Sequence, residues 1–157
     1  MNVQLKNKEK GFTIIEVVLV LAIAGLIFLM VFIALPALQR GQRDTQRKND
    51  LSRVTTALAA YQSNNRQKLP ADDEFDEFRD KYLISAANDT FADPSSGDYE
   101  FLVRSDKVAP TESVATSKKI YVYKSATCEG ETIKTAGSNK IAFAMKLEGG
   151  GVACQSN

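Results

Sequence analysis

Apolar residues are distributed along this chain in two distinct patterns. Residues 17–39, VVLVLAIAGLIFLMVFIALPALQ, run for 23 positions without a charge. As a helix this stretch spans roughly 35 Å, enough to cross the core of a bilayer. The pattern then becomes amphipathic. Leu51, Val54, Leu58 and Tyr61, with Ala57 between them, recur at helical spacing, so 38–64 reads as a helix whose single apolar stripe carries a globular head. The helical period stops after Asn64 and Asn65. Pro70 and the acidic stretch 72–80, punctuated by Phe75 and Phe78, predict a connecting loop with a short helix. Turn formers at 91–97 open onto three expected strands, 99–104, 120–123 and 141–147. Their connections suggest an antiparallel meander with one apolar face on the helix stripe, hence an α+β class.

Composition narrows the function more than the fold. A chain of 157 residues, 44% hydrophobic and 25% charged, has room for one head domain with a packed core and is not disordered. The net charge of +1 hides an asymmetry: residues 1–68 carry ten basic and four acidic side chains, and the remainder is acidic. There is no histidine, which removes the usual general base and the commonest metal ligand. No Ser-His or Cys-His arrangement and no phosphate-binding loop is present. The triple glycine 149–151 is followed by no lysine and serine and reads as a flexible turn. The acidic cluster Asp72, Asp73, Glu74, Asp76 and Glu77 lacks the central glycine of a calcium loop, so a cation there or at 88–98 is a minor expectation. The chain reads as no enzyme, with no cofactor and no metal.

The apolar run is too long for a cleaved secretory signal, whose hydrophobic part is about 7 to 15 residues ending at small-x-small. A plain signal anchor is the stronger alternative, because Lys6, Lys8 and Lys10 precede the run. Arg40, Arg43, Arg47 and Lys48 follow it, so basic residues alone do not orient the span. The residues just before the run are more specific: Lys10, Gly11, Phe12, Thr13, Ile14, Ile15 and Glu16 lead directly into the apolar helix. This resembles the type IV prepilin motif, a short basic leader ending in glycine, then phenylalanine, a small or polar residue, two aliphatics and glutamate. The resemblance implies cleavage between Gly11 and Phe12 by a membrane-embedded prepilin peptidase, with N-methylation of the new Phe12 terminus. It implies the type IV pilin fold, in which the long helix lies against a small antiparallel β-sheet head. The division expected is a leader 1–11, a transmembrane and polymerisation helix 12–36, an amphipathic helix 37–66 and a head 67–157.

Glu16 has a physical reading of its own. A carboxylate in a membrane-length helix costs on the order of 2.5 to 3.5 kcal/mol at mid-bilayer, so it needs a partner when drawn into a bundle of helices. Cutting after Gly11 creates an ammonium on Phe12. Pairing that ammonium with Glu16 of a neighbouring copy neutralises both and repeats without closing, which generates a helical filament. Phe12, Thr13 and Glu16 are therefore the assembly candidates. Gly25 and Pro36 weaken the helix by about 1 and 3 kcal/mol. An ordinary membrane kink is one reading; by resemblance to pilins they delimit a stretch that loses helicity in the filament, although Pro36 lies three residues beyond the usual place. Arg40, Arg43 and Arg47 share a helix face expected to be solvated or to touch lipid headgroups.

Cys128 and Cys154 are an even pair near the C-terminus, compatible with one disulfide if the head is exported and with two thiols if it is not. A bond would close about 26 residues and contribute roughly 3 to 4 kcal/mol. Many pilins have such a C-terminal loop. The function implied by resemblance is the structural subunit of a pilus, processed in the cytoplasmic membrane and polymerised with its own copies by an assembly platform and ATPases. Motility, adhesion and DNA uptake would follow from that assembly. A pseudopilin of a secretion or competence system, or an uncleaved membrane-anchored binding module, are the alternatives.

Overall fold

The computed structural model of the protein describes residues 11–86, 90–111 and 118–157. The basic leader with Lys6, Lys8 and Lys10 lies outside the described residues, as do positions 88 and 89 of the second calcium candidate. The chain divides at Leu38 into two compact units, 1–38 and 39–157.

One helix, α1 (Ile14–Asn64), carries both sequence patterns over 51 residues. It continues through Gly25 and Pro36 without interruption, as helices in apolar surroundings tolerate such residues. It is the one helix among the described residues long and apolar enough to cross a membrane. The large apolar side chains of residues 14–38 are exposed. From Leu51 onward the stripe Leu51, Val54, Ala57 and Leu58 is buried, as the helical spacing requires. The helix ends where its period does: Arg66 and Gln67 adopt left-handed backbone, and the Gln67 amide turns back to the Gln62 carbonyl at 2.7 Å. The short α2 (Phe75–Phe78) and a π-helical stretch (Arg79–Ser85) follow, placing Phe75, Phe78 and Leu83 in the core.

The head is built on a four-stranded sheet in the order β3 (Glu100–Arg104), β4 (Lys119–Lys124), β7 (Ile141–Lys146), β8 (Val152–Ser156). Two small antiparallel pairs accompany it, β1 (Ala92–Asp93) with β2 (Gly97–Asp98) and β5 (Ala126–Glu129) with β6 (Thr132–Thr135). The expected α+β architecture holds, but the meander does not. β3 and β4 run parallel, with Phe101 opposite Ile120 and Val103 opposite Val122. Residues 105–118 between them are numerous enough for the crossover that a parallel pair needs. β8 was not anticipated, and Cys154 therefore sits within a strand and not after the last one.

The central strands β4 and β7 are buried on both faces. Ile120 and Val122 of β4, with Ile141, Phe143 and Met145 of β7, face the α1 stripe together with Phe75, Phe78 and Phe91. The alternate residues Tyr121, Tyr123, Ala142 and Ala144 face the other way and are equally buried, beside Ala126 and Ile133 of the β5–β6 hairpin. Ser125, in left-handed backbone, turns the chain out of β4 into this hairpin. Small Ala142 and Ala144 leave room for it. The segment after β3 covers the remaining surface: the Tyr123 hydroxyl donates to the Val108 carbonyl at 2.7 Å, the Lys107 ammonium to the Lys124 carbonyl, and Arg104 lies 5.5 Å over the Tyr121 ring. A disulfide between Cys128 and Cys154 ties the hairpin to the edge strand β8.

Candidate functional site

The start of α1 is built as a capping box. Thr13 is the last non-helical residue, and its carbonyl accepts the Val17 amide at 3.3 Å, the first helical bond. Its hydroxyl accepts the Glu16 amide at 3.4 Å, while Glu16 reaches back and accepts the Thr13 amide at 2.8 Å. This reciprocal exchange between N-cap threonine and glutamate three residues on satisfies two amides that a helix end leaves without partners. The Thr13 hydroxyl also donates to the same carboxylate oxygen, Oε2, at 2.8 Å, so Oε1 keeps its capacity to accept. The positive end of the helix dipole favours the carboxylate there as well.

Phe12 precedes the cap and is 90% exposed. With Glu16, Val17, Val20 and Leu21 it lines one shallow apolar groove. Phe12 and Val17 stand in the positions of a hydrophobic staple, which fixes the direction from which the chain enters a helix. The structure thus brings together Phe12, Thr13 and Glu16, with Gly11 immediately before them, while Gly25 and Pro36 lie farther along α1 with open space around the Gly25 Cα. The sequence carried a direct signal for the cap, Thr-x-x-Glu before an apolar run, which the reading of Glu16 as a membrane carboxylate passed over.

The basic face of α1 departs from expectation. Arg40 is exposed, but Arg43 is half-buried and Arg47 is wholly buried within the head unit. Arg47 donates through Nε to Asp93 Oδ2 at 2.5 Å, through Nη1 to Asp44 Oδ1 at 2.9 Å and through Nη2 to Glu148 Oε1 at 2.7 Å. Arg43 grips Glu148 with two nitrogens, at 2.9 and 2.5 Å. Burial alone pushes the Asp93 carboxyl up, but Arg47 and the Ser95 hydroxyl and amide outweigh it and bring it down to about 2. Arg43, then Arg47, working against partial burial, hold Glu148 at about 2. These arginines meet acidic groups of their own head, so they are not a free headgroup-binding face. No local signal pairs residue 47 with residues 93 and 148. Among the described residues, no group of three or more metal-ligating side chains converges.

Comparison with known proteins adds one match. Residues 6–32 fit the family model described as the prokaryotic N-terminal methylation motif. No curated protein and no solved structure matches the chain. The matched stretch contains Gly11, Phe12, the Thr13 to Glu16 capping box and the first part of the exposed apolar helix. The chain carries the N-terminal methylation motif that is the class III signal of type IV pilins, and this motif supports a type IV pilin-like or pseudopilin precursor.

Proposed function

We propose that the chain is the major structural subunit of an extracellular type IV pilus. In this reading prepilin peptidase cuts between Gly11 and Phe12, Phe12 becomes the N-methylated first residue, and copies polymerise through residues 12–36. The observation that carries the reading is the capped carboxylate at the head of an uncovered apolar helix. In the single chain Thr13 donates two hydrogen bonds to Glu16 Oε2, so the carboxylate is hydrogen-bonded before assembly while its charge still awaits an opposite partner. The ammonium of an arriving Phe12 can then take Oε1 without dismantling the cap. Each junction gains one opposite-charge pair and repeats at a fixed axial offset. The exposed apolar surface of residues 14–38 supplies the area that membrane lipid covers before assembly and neighbouring helices cover afterwards. Gly25 and Pro36 are the places where α1 would lose helicity in the fibre. Assembly through a platform protein and cytoplasmic ATPases, and a role in motility, adhesion or DNA uptake, extend the same proposal.

Mass spectrometry of protein sheared from cells tests it. N-methyl-Phe12 at the N-terminus of long fibres is the expected result, and an intact leader on the surface-exposed protein overturns it. Correct processing without fibres beyond the cell surface would assign the chain to the pseudopilins instead. Glu16→Gln tests the pairing separately: fibres of normal length and number would refute it.

A further inference from the structure

The residues that hold α1 to the head change chemistry abruptly at one point. Leu51, Val54, Ala57 and Leu58 hold it through the apolar core. N-terminal to Leu51 the same buried stripe continues as Asp50, Arg47 and Asp44, all charged. No buried apolar side chain attaches residues 39–50 to the rest of the head. We infer that this section is a separately releasable ionic latch, able to leave the head while the core from Leu51 onward stays folded.

The latch is reciprocal. Helix cations Arg43 and Arg47 bind the head carboxylates Glu148 and Asp93, and the helix carboxylate Asp44 accepts the backbone amides of Glu148 at 2.8 Å and Gly149 at 2.7 Å. Asp50 closes its inner end, accepting the Tyr99 hydroxyl at 3.0 Å. The head's share comes from the turn at 93–96 and from the β7–β8 turn at 147–151. Gly150 and Gly151 take the positive φ angles of 97° and 77° that this second turn requires. A cluster of buried ions contributes little net stability compared with apolar packing, because desolvation offsets most of the attraction. It does fix one geometry sharply, and it fails as a unit when a member is removed. A helix section held only in this way opens at lower cost than the global fold, as a local unit. The inference rests on no assumption about what the chain assembles into.

Hydrogen exchange on the full-length chain in detergent micelles tests it, using Glu148→Gln, which keeps shape and removes one charge. The amides of residues 45–50 should exchange about tenfold or more faster, while those of 52–62, β4 and β7 stay within about twofold. Asp44→Asn, which weakens two amide contacts and removes one ion pair of Arg47, should act in the same direction and decides the matter if Glu148→Gln fails to fold. Unchanged exchange at 45–50, or acceleration spread equally over 52–62 and the strands, would overturn the latch.

Discussion

Phe28 and Phe143 are the same side chain in opposite circumstances. Phe28 is 65% exposed on α1, whereas Phe143 of β7 is fully buried on the face of the sheet turned to α1. The difference extends to the units that hold them. Residues 14–38 display aliphatic surface and only one polar device, the capping box, and that device is local. Residues 39–157 bury most of their large apolar side chains, pair their buried charges and leave no buried side-chain polar atom unsatisfied among the described residues. The head satisfies its own buried polar groups, whereas the apolar segment presents a surface of the kind that lipid or other helices cover.

The largest effect that would break this comparison comes from exchanging the two phenylalanines for alanine. Phe143→Ala should lower head stability by about 3 to 5 kcal/mol, since it empties a packed core site. Phe28→Ala should leave the thermal midpoint of the head unchanged in micelles. A large loss from Phe28→Ala, followed by near-ultraviolet circular dichroism, would show that the two units share a fold.

Next in size is the disulfide. Replacing Cys128 and Cys154 together by serine should remove roughly 3 to 4 kcal/mol, the chain entropy of a loop of this length, measured by urea unfolding. The hairpin and β8 should loosen first, because the bond is their covalent link. The proposed cleavage after Gly11 should be unaffected.

Much of this division is legible in the residues. Length without charge marked the apolar segment, and the 3- and 4-residue spacing of Leu51, Val54 and Leu58 marked the buried stripe, because both signals are local and periodic. Glycine, phenylalanine and glutamate before the run marked the processing motif. What escaped detection depends on long-range pairing. Whether β3 runs with or against β4 is set by where residues 105–118 travel, and no residue of β3 records it. Tyr121, Val122 and Tyr123 are apolar on both sides of the strand, which the expectation of a single apolar face passed over, and nothing in them names the hairpin as the second cover. The burial of Arg47 arises from carboxylates 46 and 101 positions away.

A smaller effect is the acid limit of the head. Asp93 and Glu148 fall to about 2 in the folded chain from ordinary values of 3.8 and 4.5. A depressed carboxyl contributes stability that is present above its unfolded value and is lost as pH falls toward its folded value. Stability should therefore decline between about pH 4.5 and pH 2. Asp50, raised by burial, acts in the opposite sense and returns part of the loss. Combined Asp93→Asn and Glu148→Gln should flatten this decline in a series of unfolding curves. A decline of unchanged steepness would place the acid sensitivity elsewhere.

The smallest effect isolates the capping box. Thr13→Ala removes the hydroxyl that accepts the Glu16 amide and should cost about 1 kcal/mol of local helix stability. Thr13→Ser restores the acceptor and should restore that amount. Because no residue of 11–38 is buried, the loss should appear only in the exchange of the amides of residues 14–17, with the head unmoved. The same pair of variants separates capping from assembly. If Glu16 needs only its charge to receive a neighbour's Phe12, Thr13→Ala should leave fibre yield intact; if the cap must first aim the carboxylate, yield should fall with Thr13→Ala and recover with Thr13→Ser.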